Sequence, residues 1–269
     1  MFRFFPRKKL TTKSLWAAYY FDDEKVDAFS PYQLMILDPD SHIELKQIKK
    51  INPLLGYVSL GEINFNSVDY SSVESQSIII GKNKDWSGSL IIDIRTEAWR
   101  DHLLKNTIPN ILAQGFDGIF LDTLESPFVF ENKEPIKYRG MTQAAIILVK
   151  QIRQQFPNIV IMLNRCFELI SSLETDIDML LAESIYTTYD FYHERYSHQP
   201  VNVYEEISEQ LKQFKKNNKQ VDIFTLDYWD QTDHQSINDI YTTQRNMGFI
   251  PYVSTVLLDQ LYVQPKIIS

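Results

Sequence analysis

The sequence has almost no cysteine and no recognisable metal motif, and each absence excludes a class of site. Cys166 is the single cysteine among 269 residues, so no disulfide within the chain and no cysteine-based zinc site can form. The five histidines are scattered, no HExxH segment occurs, and His193 and His198 do not share the i,i+4 spacing of a helical metal pair. We therefore expect no bound metal and no cofactor.

Long apolar runs and flexible linkers are also absent. No run of 18 apolar residues occurs, which argues against a transmembrane helix. The N-terminal segment MFRFFPRKKLTTKSLW holds no apolar stretch of the length that a signal peptide needs. No segment rich in Gly, Ser or Pro divides the chain. We therefore assign residues 1–15 to an N-terminal extension and residues 16–269 to one domain.

Basic residues are outnumbered by acidic ones. The chain has 27 Lys and Arg against 35 Asp and Glu, which gives a net charge of -8. This balance repels nucleic-acid phosphates, so we expect no nucleic-acid partner. A cleft lined by carboxylates would instead attract a cationic ligand. An acidic surface also keeps proteins soluble, and charge alone favours that simpler interpretation.

Nine short apolar runs divide the chain at intervals. Most are continuous rather than alternating, which is typical of parallel strands buried on both faces. The runs are Trp16–Phe21, Leu34–Leu37, Leu55–Leu60, Leu90–Ile94, Gly118–Leu121, Ile159–Leu163, Met179–Leu181, Val221–Leu226 and Phe249–Val253.

The segments between these runs have the periodicity of helices. Apolar residues over 203–214 line one helical face. Pro109 is expected to kink or divide the helical segment over 99–112, and Gly115 stands where a helix C-cap glycine belongs.

Alternating strands and helices predict a parallel sheet of the α/β class. The chain length of 269 residues is near the roughly 250 of one (β/α)8 barrel. We predict a single-domain barrel of the TIM type, with Leu90–Ile94 as an extra strand in the insert before the fourth barrel strand. A doubly wound open sheet is the competing architecture. It usually has a glycine-rich loop after its first strand, whereas FDDEK follows here.

Polar residues follow most of the predicted strands, and in a barrel these strand ends gather at one mouth. They are Asp38, Glu62, Asp93, Asp122, Asn164, Arg165, Glu183, Asp227, Tyr228 and Trp229, with Tyr20 near the end of the first strand. Crowded carboxylates raise one another's pKa, and glycoside hydrolysis needs one protonated and one ionised carboxyl group. Aromatic side chains nearby could stack on sugar faces or simply pack in the protein; these are Trp86, Tyr186, Tyr189, Tyr228 and Trp229.

Two of the acids follow the clearest strand patterns. Asp122 ends GFDGIFLD, and Glu183 follows MLLA. Position alone favours a structural role for each acid: a helix cap or ion pair for Asp122, and for Glu183 a rim carboxylate that is satisfied by its neighbours.

Several segments resemble one known family. They are YVSLGE (57–62), DWSGSLIIDIRTEAW (85–99), GFDGIFLDTLE (115–125), YRGMTQAA (138–145), LNR (163–165), LAES (181–184), LDYWD (226–230) and GFIPYVST (248–255). In order and spacing the chain is similar to the endo-alpha-1,4-polygalactosaminidases of glycoside hydrolase family 114. It resembles the hydrolase domains of bacterial Pel exopolysaccharide systems, of family 166, most closely. The resemblance extends from about Trp16 to Pro265.

The resemblance implies a (β/α)8 enzyme that cuts alpha-1,4 linkages within partly deacetylated N-acetylgalactosamine polymers. It implies a retaining mechanism in which Asp122 is the nucleophile and Glu183 the acid/base. It also implies a periplasmic or secreted location and partner enzymes that modify the exopolysaccharide. We expect the other strand-end residues, together with Tyr20 and Tyr186, to bind substrate.

Two other functions stay open on the sequence. One is a non-catalytic barrel that holds a cationic polysaccharide in the same acidic cleft. The other is an unrelated barrel enzyme such as a metal-dependent hydrolase, against which the scattered histidines argue.

Overall fold

Strand and helix alternate along the chain. The computed structural model describes residues 10–48, 51, 53–67, 69–73 and 77–263, so residues 1–9 of the expected N-terminal extension lie outside the described residues. The strands are β1 (Trp16–Tyr19), β2 (Leu34–Leu37), β3 (Leu54–Ser59), β4 (Glu62–Asn64), β5 (Ile79–Lys82), β6 (Ser89–Ile92), β7 (Gly118–Asp122), β8 (Val160–Asn164), β9 (Met179–Glu183), β10 (Thr187–Asp190), β11 (Arg195–His198), β12 (Asp222–Tyr228) and β13 (Ile250–Ser254). The α-helices are α1 (Tyr70–Val73), α2 (Glu97–His102), α3 (Ile108–Gln114), α4 (Glu125–Lys133), α5 (Met141–Gln155), α6 (Ile170–Leu173), α7 (Val201–Asn217) and α8 (His234–Asn246).

Eight of these strands form one parallel sheet in the order β1-β2-β3-β7-β8-β9-β12-β13. Each strand pairs in parallel with the next. The Trp16 indole in β1 donates to the Ile250 carbonyl in β13 at 3.0 Å, so the last strand meets the first and the sheet rolls into a barrel. The predicted (β/α)8 barrel is confirmed, and the doubly wound alternative is wrong.

The apolar runs of the sequence fill the barrel. Trp16 lies with its ring centroid 5.4 Å from that of Phe224 and 5.5 Å from that of Tyr252, and all three side chains are buried. Between β7 and β8 the backbones approach closely at Gly118. A β-carbon there would lie 2.0 Å from the Val160 carbonyl oxygen, so this position requires glycine.

Two pieces of antiparallel structure are inserted after the carboxyl ends of barrel strands. After β3, the strands β4, β6 and β5 form a small antiparallel sheet, which we call the insert sheet. Because β6 overlaps Leu90–Ile94, the predicted extra strand is confirmed. After β9, β10 and β11 form an antiparallel hairpin, which we call the rim hairpin. Both insertions start at the mouth of the barrel, where they can shape a site.

The helical segment around Pro109 is divided, as its sequence predicts. It runs through α2, a π-helix over Leu103–Thr107 and α3. Pro109 lies at the start of α3, directly after the π-helix, so it stands where the regular α-helical hydrogen bonding is already interrupted. Gly115 ends α3 in the left-handed conformation with φ 111°. None of the described helices combines the length and apolarity required to cross a membrane.

Candidate active site

A cleft with a volume of about 1130 Å³ opens at the mouth of the barrel. Three neighbouring strands, β7, β8 and β9, end on Asp122, Asn164 and Glu183, and all three residues line the cleft. Side chains alternate along a strand, so residues two positions earlier, Phe120 in β7 and Leu181 in β9, line it as well. The barrel therefore brings two carboxylates and an amide together from adjacent strands.

One amide joins the two carboxylates. Asn164 Nδ2 donates to Asp122 Oδ1 at 2.9 Å and to Glu183 Oε2 at 2.6 Å. Because one nitrogen reaches both acceptors, these two oxygens lie within about 5.5 Å of each other. Two carboxylates this close disfavour simultaneous ionisation.

A tyrosine hydroxyl supports each carboxylate from its other side. Tyr57 Oη donates to Asp122 Oδ2 at 3.0 Å, and Tyr228 Oη donates to Glu183 Oε1 at 2.6 Å. Burial, and then the charge of the adjacent carboxylate, raises the pKa of each phenol well above its usual value. Both hydroxyls therefore stay protonated and keep donating. Tyr20 packs against Tyr57 with ring centroids 5.3 Å apart.

Burial raises the pKa of two carboxyl groups in the cleft toward neutrality. The pKa of Asp122 rises to about 6, first because of burial and second because of the charge of Glu183; hydrogen bonds from Asn164, the Thr123 N–H and Tyr57 oppose the rise. The pKa of Glu125 rises to about 7 through burial and then the charge of Asp122. The cleft thus contains carboxyl groups that exchange protons near neutral pH, as acid/base chemistry requires.

Glu125 lines the cleft although it does not end a strand, so it is not among the residues predicted from the sequence. It begins α4, three residues after Asp122. Arg165 Nε donates to Glu125 Oε1 at 2.8 Å, and Arg165 Nη1 donates to the backbone carbonyl of Glu183. The position of Glu125 in the segment LDTLE, three residues after Asp122, could have indicated it, because the first turn of a helix that follows a barrel strand also reaches the mouth.

The residue that follows each of the strands β7, β8 and β9 has a left-handed backbone conformation, although none of the three residues is glycine. Thr123 has φ 61°, Arg165 φ 50° and Ser184 φ 54°. The Arg165 N–H donates to the Leu181 carbonyl at 2.8 Å and the Ser184 N–H to the Leu226 carbonyl at 2.8 Å, so the turns at Arg165 and Ser184 are each held by a neighbouring strand. Such conformations cost about 1–3 kcal/mol each and are common at functional sites.

Six of the expected substrate-binding residues line the cleft: Tyr20, Asp38, Glu62, Asn164, Arg165 and Tyr228. Glu62 is almost fully buried, and the donors that reach it among the described residues are neutral. Asn83 Nδ2 donates to both of its oxygens at 3.1 and 3.0 Å, and Ser89 Oγ and Ser126 Oγ donate as well. Glu62 therefore links the insert sheet to α4 beside the two strand-end carboxylates.

Asp93 and Trp229 lie outside the cleft. Asp93 follows β6 in the insert sheet and not a barrel strand, and it holds the Arg95 guanidinium with its two oxygens at 2.8 and 2.7 Å. Trp229 follows β12, but its indole donates to Asp233 Oδ2 at 3.1 Å beside α8. Both residues were predicted to bind substrate because they follow apolar runs. In the structure their side chains point away from the cleft.

Asp227 and Tyr186 also lie outside the cleft. Asp227 has no exposed surface and accepts hydrogen bonds from the Tyr186 N–H at 3.0 Å, the Thr187 N–H at 2.9 Å and Gln244 Nε2 at 2.5 Å. The Tyr186 ring packs 4.8 Å from that of Tyr204. Asp227 therefore fastens the start of the rim hairpin to the barrel.

Carboxylates dominate the lining of the cleft. Nine acidic residues line it, against one basic residue, Arg165, among the described residues. The acidic residues are Asp38, Asp40, Glu62, Asp69, Asp85, Asp122, Glu125, Glu183 and Asp190. This excess creates a negative potential that favours cationic ligands. Among the described residues, no group of three or more His, Cys, Asp or Glu is arranged to hold a metal ion.

Exposed aromatic side chains stand over the cleft. Trp86, between β5 and β6, and Phe191, in the turn of the rim hairpin, lie with ring centroids 5.1 Å apart, and Trp86 is 46% exposed. Tyr189 also lines the cleft and lies 5.1 Å from Phe191. Flat apolar faces beside a polar cleft suit the stacking of sugar rings.

Comparison with known proteins gives a family match and two similar folds. The model of glycoside-hydrolase family GH114 matches residues 9–268. The glycoside hydrolase domain of PelA from Pseudomonas aeruginosa is 24% identical, with a TM-score of 0.82 over 94% of this chain and 98% of that chain. Aspergillus fumigatus Ega3, solved in complex with galactosamine, is 14% identical, with a TM-score of 0.65 over 94% of this chain and 95% of that chain.

A curated protein of Deinococcus radiodurans, itself uncharacterised, is 23% identical over 151 residues. The match covers 52% of this chain and 48% of that protein, so the chain spans about half the length of the curated relative it matches.

Proposed function

Because the chain belongs to glycoside-hydrolase family GH114 and is a glycoside hydrolase, we propose that it cleaves alpha-1,4 linkages within a polysaccharide of galactosamine and N-acetylgalactosamine. The observation that carries this proposal is the pair Asp122 and Glu183, bridged by one amide in a cleft lined by nine acidic residues. A glycosidase needs such a pair, and a polymer with free amines is cationic. The complex of Ega3 with galactosamine agrees with this substrate class.

Asp122 acts as the nucleophile. Its pKa of about 6 includes repulsion by a charged Glu183, and that repulsion is absent while Glu183 holds the proton that it donates. Hydrogen bonds from Asn164, Tyr57 and the Thr123 N–H also favour the ionised form of Asp122. Glu183 donates a proton to the glycosidic oxygen while an Asp122 oxygen attacks the anomeric carbon and the leaving sugar departs. Glu183 then takes a proton from water, whose oxygen attacks the same carbon and releases Asp122.

This sequence of steps retains the anomeric configuration. Retaining pairs are about 5–5.5 Å apart, whereas inverting pairs leave about 6.5–9.5 Å for a water molecule. The shared amide of Asn164 holds oxygens of the two carboxylates within about 5.5 Å, which supports the retaining class.

The remaining predicted residues divide into two roles. Tyr20, Asp38, Glu62, Asn164, Arg165 and Tyr228 bind substrate or position the catalytic pair. Asp93, Tyr186, Asp227 and Trp229 hold the rim, because the groups they contact lie behind the cleft. The non-catalytic binding barrel would use the same acidic cleft, but it leaves the bridged pair of Asp122 and Glu183 without a role.

The test is incubation with partly deacetylated galactosamine polymer, with mass spectrometry of the released oligosaccharides and NMR of the first anomer formed. We expect internal cleavage, retention of configuration and slower cleavage of the fully acetylated polymer. An inverted first product would refute the retaining assignment. Absence of cleavage, or equal cleavage of the acetylated polymer, would refute the proposed substrate. Rescue of an Asp122→Gly variant by azide, giving a glycosyl azide of inverted configuration, would identify Asp122 as the nucleophile.

A further inference from the structure

A second groove lies on the outer side of the rim hairpin. Its volume is about 340 Å³, and it runs between the hairpin and the segment that follows β13. The hairpin supplies three aromatic side chains, Tyr189, Phe191 and Tyr196, and the segment after β13 supplies Val256 and Leu257. The Tyr189 ring lies 4.9 Å from that of Tyr196 and 5.1 Å from that of Phe191, so the aromatic surface is continuous.

This outer groove is continuous with the catalytic cleft. Four residues line both: Tyr189, Phe191, Val256 and Leu257. Leu257 is 56% exposed and Phe191 is 37% exposed, which is unusual for large apolar side chains. We call these four shared residues the ridge. A bound polysaccharide that extends out of the cleft could cross the ridge and stay in contact with the protein.

The outer groove is also acidic. Glu194 and Asp259 line it, and among its described lining residues none is basic. Thr255 Oγ1 donates to Asp259 Oδ1 at 2.9 Å and so holds that carboxylate at the groove. The nearby Arg195 lies outside the lining, and its Nε is 3.8 Å from Asp190 Oδ2, on the side of the catalytic cleft. The charge of the groove thus continues the charge of the cleft.

We propose that the outer groove is a distal subsite for a galactosamine unit of the same polymer whose scissile bond lies in the catalytic cleft. The sugar ring packs on the hairpin aromatics, and its ammonium group pairs with Glu194 and Asp259. This inference rests on the proposed function, because it takes the same cationic polymer as its ligand. It makes substrate length a determinant of affinity: chains long enough to cross the ridge bind more tightly than short ones.

The experiment compares the full chain with the double variant Glu194→Gln/Asp259→Asn on deacetylated oligosaccharides of increasing length and on polymer. Both changes keep side-chain size and remove charge. For wild type we expect KM to fall with length beyond the point at which the catalytic cleft is filled. For the variant we expect KM on polymer to rise about fivefold, in keeping with one exposed ion pair, with kcat and the constants for short chains unchanged.

The matched control is Glu205→Gln/Glu209→Gln, which removes two exposed carboxylates from α7 and leaves both grooves intact. It should match wild type on every length. Equal effects of the two double variants, or equal loss on short and long chains, would overturn the distal subsite while leaving the proposed function in place. A wild type that cleaves no galactosamine polymer would overturn the proposed function and this inference with it. On fully acetylated polymer, which has no amine, the groove variant should behave as wild type.

Discussion

Asp122 and Asp227 are the same residue type in the same kind of place, yet the fold uses them differently. Each lies at or next to the end of a barrel strand, and burial raises the pKa of each to about 6. Asp122 faces the cleft and a second carboxylate, with an amide shared between them. Asp227 faces away from the cleft, and two backbone N–H groups and Gln244 satisfy it. A raised pKa at a strand end therefore does not by itself select a candidate catalytic acid; the direction of the side chain decides which of the two carboxyl groups can reach a ligand in the cleft.

Substituting Asp122 or Asp227 by alanine should have very different effects on kcat, and this is the largest difference that we expect between the two residues. We expect Asp122→Ala to lower kcat by at least about 10⁴-fold, as loss of a nucleophile does in other hydrolases. Asp227→Ala should change kcat per folded molecule little, because its contacts lie behind the cleft. Initial rates on deacetylated polymer, measured well below the unfolding temperature of both variants, check this. Similar losses in the two variants would remove the distinction.

For protein stability we expect the opposite order, with the larger loss in Asp227→Ala than in Asp122→Ala. Asp227→Ala leaves the Tyr186 and Thr187 N–H groups without their acceptor in a site closed to water, so the free energy of unfolding should fall by about 3 kcal/mol. Asp122→Ala removes repulsion from Glu183, and its partners can bond water in the cleft, so stability should be unchanged or higher. Urea unfolding followed by circular dichroism measures both. A larger destabilisation by Asp122→Ala would contradict the comparison.

The pH dependence should report Asp122 and not Asp227, although burial raises both pKa values to about 6. Protonated Asp122 cannot attack, so kcat/KM should fall in acid. Because its pKa of about 6 includes repulsion by a charged Glu183, this fall should lie below pH 6, approaching tenfold per unit. The Asp227→Ala variant should keep this acidic limb at the same pH. Because the raised pKa values penalise ionisation in the folded state, each carboxyl destabilises the fold progressively as pH rises from its normal value to about 6. A limb that moves in Asp227→Ala would mean that Asp227 influences the chemistry.

Trp86 and Trp229 allow the same comparison between a side chain in the cleft and one outside it, with a smaller expected effect. Trp86 is exposed over the cleft, whereas Trp229 packs against His198 with ring centroids 4.8 Å apart and donates to Asp233. We expect Trp86→Ala to raise KM on polymer about fivefold through lost stacking, with kcat unchanged. Trp229→Ala should lower the unfolding temperature and leave KM close to that of wild type. The opposite assignment of the two effects would show that the rim near β12 contacts substrate.

Much of the barrel was predictable because its strands are buried on both faces. Every predicted run overlaps a strand, and Leu34–Leu37 matches β2 residue for residue. The rim hairpin was not predicted, because its two strands are short and partly exposed and carry no continuous apolar run.

The site was predictable only to the level of strand ends. Successive side chains on a strand point to opposite faces, so at the end of β12 Tyr228 lines the cleft while Asp227, one residue earlier, contacts Gln244 of α8. The sequence places both residues at the rim, but it does not say which of two neighbours faces inward. Glu125 was missed for a related reason, since it reaches the cleft from the first turn of a helix.

The left-handed residues that follow β7, β8 and β9 bear on how the site meets its ligand. Glycine could adopt these turns without strain, but it would also allow many other conformations. Thr123, Arg165 and Ser184 have far fewer alternatives, so the loops they begin have little freedom to redirect the strand-end side chains. The carboxylate pair is thus preorganised, so that in the proposed reaction little conformational entropy is lost on reaching the transition state.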